Sequence, residues 1–206
     1  TSTTSSMVRG LCCPAMALKL YVVPASHPSI AVETALKLKG LDYKRVDLLP
    51  VVHKGVQRLL FGESTVPGLR IDGEKLTGSR RIMHRLDELA PEPALYPADA
   101  ELRARVEEAD RWGDEVLQAA TRRLAWAHLR RRPKAMRSYA EDAKLPIPIG
   151  LAMTTAGLVA RAEVMINGAS EEAARADLAA LPGWLDHVDE LIADGLTLLI
   201  QILGEH

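Results

Sequence analysis

The sequence has few aromatic residues, with one Phe, three Trp and four Tyr among 206 residues. Surfaces on which nucleobases stack are therefore not expected. Neither sign of charge dominates, since 26 Lys and Arg stand against 27 Asp and Glu. The resulting net charge of -1 removes the overall electrostatic attraction to nucleic acid, so we expect no nucleic-acid partner.

Cysteine and long apolar runs are also scarce. The two cysteines, Cys12 and Cys13, are neighbours and make a poor structural bridge, so the sequence favours a reducing cytoplasm. The apolar stretch Leu196 to Leu203 is far shorter than the roughly 20 residues that cross a bilayer, so no membrane association is expected. The six histidines show no metal-ligand spacing, and HExxH, CxxC and P-loop motifs are absent from the sequence, so we expect no metal.

The first part of the chain alternates short β-type runs with helical patterns. The runs that predict buried or half-buried strands are Leu18–Val23 and Tyr43–Leu48. Between them, Pro28–Lys39 predicts a helix that ends at Gly40, and Val51–Leu60 predicts a short helix or an irregular turn. The fold class expected from this order is an α/β domain.

A hairpin and a third helix complete this part. Asp72-Gly73 between two short apolar runs is a strong hairpin signal. Ser79 is expected to cap a helix through Leu89, whose apolar residues share one face. The predicted element order is βαβαββα.

The remaining chain has a helical pattern throughout. A proline-rich stretch, Ala90–Asp99, predicts a linker, and Ser170 is expected to cap the last helix. The predicted organisation, with its boundary near residue 95, is a disordered extension over 1–15, an α/β domain over 16–90, a linker over 91–98 and an all-helical bundle over 99–206.

This layout, with three particular stretches, resembles the glutathione S-transferase family. The stretches are LYVVPASHPSIAVETALKLKGLDYKRVDL, STVPGLRIDGEKLTGSRRIMHRLDEL and the linker containing LYP, and the likeness runs from about Met16 to about Asp194. It implies a thioredoxin-like N-terminal domain that binds glutathione, followed by a helical domain. The family's usual capping motif is missing after Gly195, so the tail is atypical.

The resemblance implies an enzyme of the serine type that activates the thiol of glutathione, or of a related small thiol, for conjugation to a small electrophile. Glutathione would be the co-substrate, no metal would be needed, and the protein would form a cytoplasmic homodimer. The alternative is a non-catalytic thiol- or ligand-binding protein that keeps the transferase fold.

Two candidates for thiol activation lie after the first strand. Counting back from Gly40 places Ser26 where serine-type members donate a hydrogen bond to the glutathione sulfur. A hydroxyl donor and a helix N-terminus both favour the thiolate, which is the nucleophile. Aligning on Pro28 instead places His27 there, as a donor or a general base.

Simpler roles exist for the same residues. Ser26 could only cap the helix, and His27 could be a solvated loop residue. Ser29 is a third hydroxyl within reach, and Tyr21 is expected to be a strand residue without a catalytic role.

The resemblance also implies a set of ligand-binding residues. Val66-Pro67 matches the family's cis-proline turn, whose backbone pairs with the cysteinyl part of glutathione. Ser79 would hold the γ-glutamyl carboxylate at the start of a helix, whereas Gly78 replaces an acidic residue that usually contacts the ligand's α-amino group. Lys54, beside His53, is a candidate for the glycyl carboxylate or a solvated lysine. The arginine-rich stretch from Arg122 to Arg137 is expected to be a solvated helix face or an anion-attracting patch.

Overall fold

A computed structural model of the chain describes residues 16–140 and 143–193. The predicted extension over 1–15 and the atypical tail from 195 lie outside the described residues. The elements run in the order β1 (Leu18–Val22), α1 (His27–Leu38), β2 (Tyr43–Asp47), α2 (Val52–Phe61), β3 (Gly68–Ile71), β4 (Glu74–Thr77) and α3 (Ser79–Leu89). The predicted βαβαββα order is therefore confirmed.

The four strands form one sheet in the order β2-β1-β3-β4. β1 is parallel to β2, with Leu18 opposite Tyr43, and antiparallel to β3, with Tyr21 opposite Gly68. The β3–β4 hairpin turns at Asp72 and Gly73, where both residues have positive φ angles of 48° and 103°. Asp-Gly suits this turn because both central positions require the left-handed region.

The main core lies between the sheet and two helices. Leu20 and Val22 of β1 are fully buried against α1 and α3 because alternate strand residues point to one face. The opposite face receives α2, since the Tyr21 ring meets the Phe61 ring edge-on at 5.4 Å between centroids. This is the thioredoxin-like arrangement that the resemblance implied.

The second part of the chain is helical. Its α-helices are α4 (Ala100–Trp112), α5 (Gln118–Arg131), α6 (Ile149–Thr154), α7 (Ala156–Ile166) and α8 (Glu171–Ala193). A π-helical segment, Gly113–Leu117, joins α4 to α5, and a 3-10 helix, Pro133–Ala140, follows α5. Within 16–140 and 143–193, none of the helices is both long and apolar enough to cross a membrane.

The segment between α3 and α4 contains neither helix nor strand, and one carboxylate anchors it. Asp87 accepts hydrogen bonds from the backbone N–H groups of Leu95 and Tyr96 at 2.8 and 3.0 Å. The same carboxylate pairs with the fully buried ammonium of Lys39 at 2.7 Å. Because a buried charge is costly unless it is paired, this junction stabilises the connection between the two parts. The division into domains at these boundaries stays a prediction.

Candidate functional site

Three chain segments meet at one edge of the sheet. β1 and β4 both run antiparallel to β3, so their carboxyl ends lie at the same edge as the start of β3. Ser26 follows β1, Val66-Pro67 precedes β3, and Gly78 follows β4. The Gly78 N–H donates to the Pro67 carbonyl at 3.1 Å, which fixes two of these segments together. Six of the predicted site residues therefore lie at one edge of the sheet: Ser26, His27, Val66, Pro67, Gly78 and Ser79.

Ser26 is the N-cap residue of α1, but its hydroxyl makes no capping hydrogen bond. The cap is made by the Ser26 carbonyl, which accepts from the N–H groups of Ser29 and Ile30 at 2.9 and 3.0 Å. Across the described residues the hydroxyl has no partner, although an N-cap serine commonly uses its side chain. The simpler role as a side-chain cap is therefore wrong, and the hydroxyl is available to a ligand.

His27 is the first residue of α1, and part of its side chain is exposed to solvent. Protein atoms around the imidazole partly desolvate it and lower its pKa, and the negative charge of Asp114 opposes this. The lowered pKa favours the neutral imidazole, which is the form able to accept a proton.

The Val66-Pro67 peptide bond is cis, as predicted. β3 begins only at Gly68, and Val66 itself forms no backbone hydrogen bond to any described residue. Its N–H and C=O thus form a short unpaired stretch beside the sheet. Such a stretch can bind an extended peptide-like ligand as an added strand.

The start of α3 differs from the prediction at one residue. Gly78, with φ of 82°, is the N-cap, and Ser79 is the first helical residue rather than the cap. The left-handed backbone at this position favours glycine, which explains the replacement of a larger residue. The Ser79 hydroxyl and N–H have no partner among the described residues, so the helix start can receive an anionic group.

Lys54 lies apart from these three segments, in the first turn of α2. Its ammonium forms no ion pair within 16–140 or 143–193. Next to it, Val51 adopts φ 66° and ψ -55°, and the Val52 N–H bonds back to the Pro50 carbonyl, which is a rare and strained γ-turn. The buried Glu163 of α7 accepts a hydrogen bond from the Val51 N–H at 3.1 Å.

A wall from the helical part faces the sheet edge. Arg80, in the first turn of α3, pairs with Asp114 at 3.4 Å, and Asp114 belongs to the π-helical segment. π-Helical insertions occur often at functional sites. One turn earlier, burial raises the pKa of Asp110 to about 6, and its Oδ2 atom is buried without a hydrogen-bond partner among the described residues.

Sequence reasoning missed Asp110, Asp114 and Glu163. A π-helical insertion follows no hydrophobic period that could be recognised in the sequence, and single acidic residues on helices are common on solvated faces. Its ion pair with Arg80 at the start of α3 distinguishes Asp114 from Glu107, which pairs with His84 further along the same helix.

The remaining candidates take other positions. Ser29 is 2% exposed and lines a cavity of about 250 Å³ together with Arg45 of β2, away from the start of β3. Tyr21 is a buried strand residue, as predicted. Arg123 pairs with the buried Asp177, while most of its basic neighbours are exposed on the surface. Among the described residues, no three His, Cys, Asp or Glu side chains are grouped so that they could hold a metal ion.

The glutathione S-transferase N-terminal domain family matches residues 20–94, which contain the whole sheet edge described above. This stretch of the chain is thus similar to the N-terminal domain of glutathione S-transferases. The resemblance to this family that the sequence indicated is confirmed. The unpaired groups at Ser26, Val66 and Ser79 lie within the matched domain.

Curated relatives align with the N-terminal part of this chain. The maleylacetoacetate isomerase of Pseudomonas aeruginosa is 38% identical over 94 residues, which cover 43% of this chain and 44% of that protein. The maleylpyruvate isomerase of Ralstonia sp. is 35% identical over 96 residues, again 43% of each chain. The matches thus span less than half the length of these relatives.

A solved transferase-like structure extends over more of the chain. The beta-etherase LigF from Sphingobium sp. superposes with a TM-score of 0.62 at 24% identity, covering 86% of this chain and 74% of that one. At this identity the likeness concerns the fold, and it includes the helical part as well as the sheet.

Proposed function

We propose that this protein is a glutathione-dependent enzyme that activates the thiol for attack on a small electrophile. The observation that carries the proposal is the Ser26 hydroxyl, which stands at the N-cap of α1 without a capping bond. An anion at this position would be stabilised by a hydrogen bond from the hydroxyl and by the dipole of the helix.

The unpaired groups around Ser26 match the chemistry of glutathione. Val66 offers one N–H and one C=O, which suit the peptide-like cysteinyl part of the thiol. Ser79 at the start of α3 offers a hydroxyl and N–H groups to a carboxylate. Lys54 is the proposed partner of the second carboxylate, as a point charge on α2.

The chain's own residues have distinct proposed roles in the reaction. Glutathione supplies the sulfur nucleophile, Ser26 donates a hydrogen bond that stabilises the negative sulfur, and His27 accepts the thiol proton. The two parts of the chain hold the reactants together, which lowers the entropic part of the barrier.

The relatives suggest which reaction follows. Two of them are named maleylacetoacetate isomerase and maleylpyruvate isomerase. A thiol that adds reversibly to a conjugated double bond allows rotation about that bond, so isomerisation and conjugation share their first step. We therefore propose conjugated carbonyl compounds as the electrophile class, with conjugation or isomerisation as the outcome.

A non-catalytic thiol-binding protein is the second candidate, and Gly78 favours it. This residue has no side chain to contact the ligand's α-amino group, and its φ of 82° disfavours any residue that could. The measurement that separates the two candidates is turnover, because only the enzyme converts a bound thiol and an electrophile to product. The cytoplasmic homodimer implied by the family resemblance also stays a proposal.

Calorimetric titration with reduced glutathione tests the site itself, and S-methylglutathione serves as a second ligand that has no thiol proton. Saturable binding of both ligands would support the site. Folded protein that binds neither ligand would overturn the proposed thiol.

Turnover with a panel of conjugated carbonyl electrophiles separates the two candidates. We expect Ser26→Ala to lower the rate about 100-fold while glutathione still binds, because one donor to the developing anion is lost. Ser138→Ala is the matched control, since this exposed hydroxyl bonds only to the Ala135 carbonyl at 2.9 Å. Binding without any turnover across the panel would favour the non-catalytic protein.

A further inference from the structure

One acidic side chain from the helical part reaches the sheet edge. Asp114 pairs with Arg80, the second residue of α3, at 3.4 Å between Oδ2 and Nε. α1 and α3 pack against each other and both begin at this edge, because β1 and β4 run in the same direction. Asp114 therefore lies at the N-terminal end of α3, which begins beside the N-terminal end of α1, and a negative charge is stabilised in this position.

The π-helical segment sets this position. Gly113–Leu117 inserts between α4 and α5 without interrupting the helical path, and Asp114 is its second residue. The insertion shifts the side chains that follow it relative to a regular helix, and such insertions are frequent at functional sites. Asp114 keeps about one third of its side chain exposed, so its carboxylate is only partly buried.

We infer that Asp114 is a positioning residue for His27: its carboxylate stabilises the imidazolium that forms when His27 accepts the thiol proton. The inference rests on the proposed function, since it assigns a partner to His27 in that reaction. The sulfur loses a proton and gains negative charge, and the imidazole gains the proton and a positive charge. Asp114 supplies the opposite charge without changing its own protonation.

The electrostatics around these two side chains agree with this role. Desolvation lowers the pKa of His27 and so favours the neutral imidazole, whereas the negative charge of Asp114 opposes this shift and favours the imidazolium. The other charged groups that interact with Asp114 are Arg80 of α3, Arg122 of α5, the adjacent Glu115 and Asp110 of α4. Burial raises the pKa of Asp114, and the cations Arg80 and Arg122 oppose this.

A charge-removal series tests the inference. Asp114→Asn removes the charge at nearly constant volume, Asp114→Glu restores it, and Glu115→Gln removes the neighbouring charge of the same segment as a matched control. The pKa of His27 is measured by NMR titration of its ring C–H signals, with His27→Asn used to assign them.

We expect the pKa of His27 to be lower in Asp114→Asn, close to that of the parent protein in Asp114→Glu, and unchanged in Glu115→Gln. The rate profile should follow: the acid limb of kcat/KM moves to lower pH in Asp114→Asn, and the plateau falls about tenfold because the imidazolium has lost its counter-charge.

Three outcomes would overturn the role of Asp114. They are an unchanged His27 pKa in Asp114→Asn, an equal shift in Glu115→Gln, or tighter glutathione binding in Asp114→Asn, which would mean that Asp114 competes for the anion site. Because the NMR titration needs no turnover, it remains decisive if the proposed function fails, whereas loss of glutathione binding in the parent protein would count against the proposed function alone.

Discussion

The two parts of the molecule are packed very differently. In the sheet part, Leu20, Leu36 and Leu86 are all fully buried in one continuous core. In the helical part, Leu158 is 69% exposed and Met165 is 83% exposed, and in α8 the single residue classed as buried is Asp177. Burial of apolar area is the main stabilising contribution to folding. We therefore expect the sheet part to be more stable on its own than the helical part.

The features that point to a function are also divided unequally between the two parts. The family match and the curated relatives both concern the sheet part, where the unpaired polar groups of the candidate thiol site also lie. The helical part contributes charged side chains, such as Asp114, to that edge. A rigid core that positions backbone groups, with a variable wall opposite, is how one fold accommodates different second substrates.

The largest expected effect tests the difference in packing between the sheet part and the helical part. Leu20→Ala should cost about 2–5 kcal/mol of unfolding free energy, because it leaves a cavity in the closed core. Leu158→Ala is the matched control on the helical part and should cost less than about 0.5 kcal/mol, as an exposed substitution. Urea denaturation measures both, and equal losses would show that the helical part is as tightly packed as the sheet part.

Two glycines next to the candidate site test how closely α2 packs against the sheet. A Cβ at Gly68 would lie 2.6 Å from the Gln57 side chain and 2.9 Å from the Phe61 ring, so Gly68→Ala should cost about 1–3 kcal/mol. Gly55, inside α2, has open space at the same atom, so Gly55→Ala should gain up to about 1 kcal/mol. Thermal unfolding of both variants is the measurement, and a stable Gly68→Ala protein would contradict the close packing of α2 behind β3.

An ion pair tests what holds the helical part together. Arg123 of α5 makes two hydrogen bonds, at 2.7 and 2.6 Å, to the buried carboxylate of Asp177 in α8. Asp177→Asn should cost about 2 kcal/mol, a value reduced from that of fully buried pairs because Arg123 is partly exposed.

The matched control for this pair is Glu171→Gln, which removes an exposed carboxylate that pairs with Arg131. Urea denaturation should show little change for this variant. If the two variants unfold at the same urea concentration, the α5–α8 contact does not depend on the buried pair.

The smallest effect concerns pH at the contact between the parts. Burial raises the pKa of Asp110 to about 6, so the folded protein binds this proton more tightly than the unfolded chain does. The unfolding free energy should therefore fall as pH rises from about 4 to about 6. Asp110→Asn should flatten this part of the stability–pH curve and be the more stable protein at pH 7, and a curve that keeps its slope would contradict the prediction.

Much of the fold was predictable because its signals are local. The hairpin at Asp72-Gly73 and the helix that ends at Gly40 each depend on the backbone preferences of one or two residues. The predicted Ser170 cap is confirmed, since its hydroxyl accepts from the Ala173 N–H at 3.0 Å. The helical pattern expected throughout the second part is interrupted at Thr155, which separates α6 from α7. The sequence around Thr155 contains no proline that would predict the end of a helix at this position.

The candidate site was predictable to the extent that a motif marks it. Ser26, Val66-Pro67 and Ser79 were found because the resemblance includes them, and the sheet brings them to one edge. Whether the Ser26 hydroxyl caps the helix could not be read from its sequence position, since both roles need the same residue at the same place. Their roles toward a ligand stay predictions.

The sequence by itself determined the order of strands and helices and the hairpin, because each depends on contacts between near neighbours in the chain. The cis-proline turn was predicted from the family resemblance and not from local contacts. Only the tertiary structure decided that Asp114 faces the start of α3 and that Glu163 binds the Val51 N–H across 112 positions. The energy of such contacts depends on burial and on which charges meet. Those quantities exist only after the helices have packed, so the sequence carries no local mark of them.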